Sequence, residues 1–133
     1  MLVPHNALVA LANGENFKLM RNIGEALEPK LESVGELDLE LTNFSVGARQ
    51  HEPGRAGRSD TDELAHGAAI AEWLNAKALK NQLQDLVIAA DPKTLGQIRQ
   101  HCHKELEARI VGEVAKDLTN IPIPGIEQAL AAA

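Results

Sequence analysis

The sequence predicts one α/β domain in three layers, a mixed β-sheet with helices on both faces. Three observations carry that expectation. Residues 31–41 alternate, with Leu37, Leu39 and Leu41 on one side and Glu36, Asp38 and Glu40 on the other, as a half-buried strand does. Leu86-Val87-Ile88-Ala89-Ala90 is a continuous apolar run, which fits a central strand covered on both faces. Between them, Leu64, Ala68, Ala71, Leu74 and Ala78 recur at helical spacing, with Ile70 beside them.

The remaining elements follow in chain order. Residues 7–12 form a short apolar strand, and Asn13-Gly14 signals a tight hairpin turn whose central positions tolerate positive φ. Residues 16–22 return as a second strand, with Phe17 and Leu19 alternating with Lys18. Gly24 and Pro29 mark residues 23–30 as a loop before the third strand. The first helix starts at Ser59 or Asp60, with Ser59 as N-cap and Asp62 at the third helical position, a variant of the capping box. Asp91-Pro92 ends the apolar strand, and Thr94 with Gln97 caps the next helix, whose inner face is Leu95, Ile98, Cys102 and Leu106. Ile110, Gly112 and Val114 alternate with Glu113 as a last strand. Pro122 and Pro124 precede a final helix over 125–131, with Ile126 and Leu130 inward and an alanine-rich, frayed end. The order is βββαβαβα, which is also that of the ribonuclease H-like fold.

Composition excludes several functional classes. At 133 residues the chain can bury one core. Its aromatics are Phe17, Phe44 and Trp73, too few for a broad base-stacking platform. A formal net charge of −6 rules out bulk attraction to nucleic acid, so any such contact must be local. Cys102 has no second cysteine to pair with, which fits a reducing cytoplasm. There is no basic n-region followed by an apolar run, and no apolar segment long enough to insert in a membrane. A cytoplasmic location is expected.

The local exception to the acidic balance is residues 47–60, a flexible loop rich in arginine and glycine. Arg49, Arg55 and Arg58 supply planar, permanently charged forks suited to phosphate or carboxylate. Gly54 and Gly57 let backbone N–H groups turn toward an anion, and Ser59 opens a helix beside them. These six residues are the candidate site for an anion or nucleic acid. The simpler reading is a solvated loop with no ligand.

Catalytic readings are weaker. A two-metal nuclease on this element order needs acids on the first strand, the first helix and the end of the fourth strand. Asp62 or Glu63, and Asp91, could serve the last two, but residues 7–12 hold no acid, and Asn13 is a poor bridging ligand. Asp91, His101 and His103 remain as an alternative hydrolase or phosphodiesterase site. On a helix, His101 and His103 point to different sides and do not share an ion, so no metal and no cofactor are expected. Cys102 is expected as a buried thiol rather than a nucleophile. Gly54-Arg55-Ala56-Gly57-Arg58 lacks the Gly-Lys-Ser/Thr ending of a P-loop. The acidic side of residues 36–40 reads as a solvated strand face that discourages edge-to-edge association.

Several segments recur together in one family. They are Leu2-Val3-Pro4-His5, the strand ending in Asn13-Gly14, Pro53-Gly54-Arg55, Ile70-Ala71-Glu72-Trp73-Leu74-Asn75 and Asp91-Pro92-Lys93-Thr94-Leu95-Gly96. Arg99-Gln100-His101-Cys102-His103-Lys104-Glu105 and Lys116-Asp117-Leu118-Thr119 complete the series. The chain thereby resembles the bacterial host attachment proteins, described as required for attachment to host cells, over nearly its whole length. It departs at Asn13, where that family commonly has Asp, and in a shorter loop after the third strand. The family is in turn similar to the middle domain of archaeal and eukaryotic peptide-chain release factors. There a loop carrying Gly-Gly-Gln precedes a long helix and assists peptidyl-tRNA hydrolysis at the ribosome. The corresponding tripeptide here is Ala56-Gly57-Arg58, so the resemblance implies a binding loop without the catalytic glutamine. It implies a non-enzymatic module that contacts RNA or the ribosome and influences attachment indirectly. An exported adhesion factor is the alternative, although no leader or anchor is visible. An edge strand or the last helix could serve a homodimer, and no residue names a host-cell partner.

Overall fold

The structure, a computed structural model, describes residues 1–36 and 60–133. In order, the described elements are β1 (Leu8–Ala12), β2 (Phe17–Asn22), β3 (Leu31–Glu36), α1 (Asp60–Leu79) and β4 (Leu86–Ala90). Then come α2 (Pro92–Gln100), α3 (Lys104–Glu107), β5 (Ile110–Val114) and α4 (Ile123–Ala132). The strands form one open mixed sheet in the order β3-β2-β1-β4-β5. β1 runs antiparallel to β2, and β2 to β3, whereas β4 runs parallel to both β1 and β5. The alternation of Leu37, Leu39 and Leu41 lies outside the described residues.

Strand alternation divides the interior into two cores. Ala10 and Ala12 of β1 and Leu86, Ile88 and Ala90 of β4 face Ile70, Leu74, Ile98 and Leu106 of α1, α2 and α3. Val9, Leu11, Val87 and Ala89 face the other way, onto Ile126 and Leu130 of α4 and Val3 of the N-terminal segment. Every side chain of β4 is fully buried, which is why that stretch shows no polar alternation. Burying each such Leu, Ile or Val contributes about 1.5–3 kcal/mol. Phe17 and Trp73 meet edge to face at 5.7 Å, joining β2 to α1.

Asn22, a polar residue buried completely, ties the N-terminal segment to the sheet. Its Nδ2 donates to the Val3 carbonyl at 2.7 Å, and its Oδ1 accepts from the N–H groups of Gly24 at 2.8 Å and Lys30 at 3.0 Å. The 23–30 loop therefore folds around one satisfied amide.

The structure corrects four expectations. The hairpin at Asn13-Gly14 does not use positive φ at Asn13, since the described non-glycine residues with positive φ are Asn6 and Asn81. Asn13 Oδ1 accepts from the N–H groups of Glu15 at 2.8 Å and Asn16 at 2.7 Å, so the side chain closes a four-residue loop. The second helix is capped by Asp91 rather than Thr94, whose N–H donates to Asp91 Oδ2 at 3.1 Å. Pro92 fits the first turn because no partner is required there for an N–H.

That helix also stops at Gln100, and α3 is an additional turn of helix, so the described order is βββαβααβα. The Asn75 side chain of α1 holds the break. Its Nδ2 donates to the His101 carbonyl at 2.8 Å, and its Oδ1 accepts from the His103 N–H at 2.8 Å. His101-Cys102-His103 is thus a turn between helices and not part of one. Finally, α4 begins at Ile123, earlier than expected, with Pro122 as N-cap, and it continues through the alanine-rich end to Ala132.

Two glycines make opposite predictions. A Cβ on Gly67 of α1 would lie 2.7 Å from Gln97 Cβ, so α1 and α2 approach too closely for a side chain. A Cβ on Gly96 of α2 would meet nothing within 4 Å. Gly67→Ala is expected to destabilise by about 1–3 kcal/mol through overpacking. Gly96→Ala is expected to stabilise by about 0.5–1 kcal/mol through helix propensity. Urea unfolding of both variants checks the signs.

Candidate functional site

Parallel pairing places the ends of three strands side by side. Ala12 pairs with Ala90, and Ala89 with Val114. Asn13 follows β1, Asp91 follows β4, and Asp117 follows β5 by three residues. These side chains, with Gly14, Glu15 and Thr94, line a depression of about 250 Å³. The carboxyl edge of parallel strands is the usual place for a ligand in an open α/β sheet.

Asn13 organises this edge. Its Nδ2 donates to Asp117 Oδ2 at 3.1 Å and Thr119 Oγ1 at 2.9 Å. Its Oδ1 is occupied by the two N–H groups of the hairpin loop. All four hydrogen-bonding positions of the amide are therefore used within the fold. Thr119 returns two bonds to Asp117 Oδ1, from its N–H at 3.0 Å and its hydroxyl at 2.6 Å. Lys18 Nζ of β2 donates to the Thr119 carbonyl at 2.9 Å. Partial burial pushes the Asp117 carboxyl up, but the bonds from Thr119 and Asn13 outweigh it and hold the group below its ordinary value.

Asp91 is less satisfied. Oδ2 caps α2, while Oδ1 is buried and accepts no hydrogen bond. Among the described residues, no three His, Cys, Asp or Glu side chains are placed to hold a metal ion. With its oxygen turned into the hairpin, Asn13 offers no ligand atom to a cation at this edge.

The other candidates are placed elsewhere. Asp91 caps the start of α2 and His101 caps its end, so nine helical residues, roughly 13 Å, separate them. His103 Nδ1 accepts from the Glu105 N–H at 3.1 Å as the N-cap of α3. The structure does not bring Asp91, His101 and His103 together. Cys102 is half-buried against the α1–α2 core. Burial, reinforced by the Glu107 and Glu113 carboxylates, pushes its thiol up to about 11, opposite to what a nucleophile needs. Arg49, Gly54, Arg55, Gly57, Arg58 and Ser59 lie outside the described residues. Sequence reasoning missed the roles of Asp117 and Thr119. The available signal was an Asp-x-Thr turn just past the last strand, a pattern that caps its own backbone.

The Asn13–Asp117 contact predicts a pH signature. A carboxyl held below its ordinary value contributes stability that is present above the unfolded-state value and lost as pH falls through the folded one. Asn13→Asp would set a second carboxylate about 3 Å from the first, raising the value of one of them. A raised carboxyl stabilises at low pH and loses that contribution as pH rises. The variant is expected to be about 1–3 kcal/mol less stable than wild type at pH 7. That gap should narrow as pH falls from above to below the ordinary carboxylate value of about 4. Denaturant unfolding across this range checks it.

The model of a protein family described as bacterial archaeo-eukaryotic release factor family 12 matches residues 6–130. No curated protein matches the chain. The match spans both cores, from the segment before β1 to Leu130 of α4, and the Asn13–Asp117 edge between them. The chain therefore belongs to the bacterial archaeo-eukaryotic release factor family 12.

Proposed function

We propose that this chain is a non-enzymatic cytoplasmic module that binds an anionic partner, RNA or a ribosomal site. Arg49, Arg55 and Arg58 make the contacts, with Gly54, Gly57 and Ser59 shaping the approach. The observation that carries the reading is one of position. In a chain of a release-factor family, the arginine–glycine stretch ends directly before the 20-residue helix α1. In the release-factor middle domain, which the sequence resembles, that place belongs to the Gly-Gly-Gln loop. Here Arg58 stands where the glutamine would be, so charge replaces the catalytic amide. An effect on attachment to host cells, implied by the resemblance to host attachment proteins, would then be indirect and act on the expression of surface components. No described helix is long and apolar enough to cross a membrane.

The test compares RNA binding by wild type and by an Arg49→Ala/Arg55→Ala/Arg58→Ala variant over a range of salt concentrations. Wild type should lose affinity as salt rises. The variant should bind more weakly, with a slope of log K against log salt shallower by about 2 for single strands. Equal affinities, or no salt-dependent binding by either protein, would overturn the proposal.

A second reading, a metal-dependent hydrolase or phosphodiesterase, keeps one supporting observation, the unpartnered buried Asp91 Oδ1. It takes the sheet as a ribonuclease H-like scaffold with Asn13 in place of the first-strand acid. It expects turnover of an ester or nucleic-acid panel with Mg²⁺ or Mn²⁺, lost in Asp91→Asn, a change that preserves the helix cap. Absence of turnover by wild type across the panel rejects it.

A further inference from the structure

The opposite end of the same parallel strands holds a second concave region. Leu8 and Leu86 are the first residues of β1 and β4 and pair with each other. Around them lies a polar depression of about 430 Å³, lined by His5, Asn6, Arg21, Gln84 and Asp85 among others. An apolar depression of about 240 Å³ adjoins it, walled by Leu19, Val34, Trp73 and Leu83. Both include Leu8, Arg21 and Gln82, so they form one trough with a polar half and an apolar half. A five-residue strand, roughly 16 Å, separates this trough from the Asn13–Asp91 edge.

The charges in the trough do not pair internally. Among the described residues, the side chains of Arg21 and Asp85 make no ion pair or hydrogen bond. An arginine and a carboxylate in one cavity without mutual contact leave a cationic and an anionic site, while the second cation of the trough, Lys77, is turned to the Trp73 ring. His5 adds an acceptor. Its Nδ1 lies 2.7 Å from the Gly24 carbonyl, which can only accept, so the neutral ring carries its proton there and leaves Nε2 bare. Lys77 lines the apolar half and sits 5.0 Å above the Trp73 ring.

We propose that this trough binds a free α-amino acid with a large apolar side chain. The carboxylate takes the Arg21 guanidinium, as a planar fork can bind it bidentately. The ammonium takes Asp85 and His5 Nε2. The side chain enters the space between Leu8, Leu19, Leu83 and Trp73. A fatty acid would leave Asp85 without a partner, and a polyanion would be repelled by it. The zwitterion answers Arg21, Asp85 and the apolar wall together. This ligand is independent of the arginine–glycine stretch, and its test does not depend on RNA binding.

Trp73 is the single tryptophan of the chain, so its emission reports on the trough. The full chain is titrated with L-leucine, which does not fluoresce, and calorimetry supplies the affinity. Emission should change saturably. Leucinamide, which lacks the carboxylate, and N-acetyl-leucine, which lacks the ammonium, should each bind at least tenfold more weakly to wild type. Arg21→Ala and Asp85→Asn should each weaken leucine at least tenfold while leaving the far-ultraviolet circular dichroism unchanged. No saturable change with leucine or phenylalanine overturns the proposal. So does equal binding of either analogue, or wild-type affinity in either variant. Octanoate binding that depends on Arg21 but not Asp85 would identify a simple carboxylate site and also overturn it.

Discussion

The parallel pairing of β1 with β4 is the constraint on which the rest of the molecule depends. Neither strand has a solvent face along its paired length, because Val9, Leu11, Val87 and Ala89 pack one way and Ala10, Ala12, Ile88 and Ala90 the other. A strand pair buried on both faces needs a helical layer on each. α1, α2 and α3 supply one and α4 the other. Parallel strands also cannot be joined by a tight hairpin, so a long connection containing α1 precedes β4. The same pairing brings the residues after β1 and β4 to one edge and the residues before them to the opposite edge. Both concave regions are consequences of that geometry.

The two edges differ in how their polar groups are satisfied. At the carboxyl edge, Asn13, Asp117 and Thr119 form a closed network that leaves Asn13 no free valence. An amide can donate to one acidic neighbour while accepting from the hairpin, and a carboxylate at the same position can only accept. Asn13 therefore links β1 to the segment after β5 through its own amide. At the amino edge, Arg21 and Asp85 are left open. Unpaired polar groups in a concavity point to a ligand more than satisfied ones do.

Much of the fold was legible in the residues. The apolar run at 86–90, the stripe of Ala71, Leu74 and Ala78, and the alternation of Ile110 and Val114 each mapped onto the expected kind of element. Local periodicity reports burial on one face or two, and burial largely decides the element. The misplaced boundaries share a physical cause. Asn75 interrupts the helix at His101–His103 from 26 residues earlier in the chain, so nothing near the break announces it. Asn13 closes its turn by a side-chain bond, which an Asn-Gly pair does not distinguish from a positive-φ turn. The candidate site was legible only in pieces. Asp91 was a candidate and Asn13 only a turn residue and a poor ligand, but Asp117 and Thr119 join Asn13 through strand register, and Arg21 shares a cavity with Asp85 only across an intervening strand.

By itself, the sequence determined the class of fold, the central place of residues 86–90 and the concentration of arginine in an acidic chain, and it placed Cys102 toward the core, where the structure half-buries it. These properties depend on composition and on spacings of a few residues, which the covalent chain carries directly. Only the tertiary structure decided that Asp91 and His101 stand at opposite ends of one helix, that Asn13 is consumed by the fold, and that Arg21 and Asp85 share a trough with Trp73. Those facts arise from hydrogen bonds and packing between residues distant in sequence. Strand order and register set which of them meet, and neither is written in any local stretch of the chain.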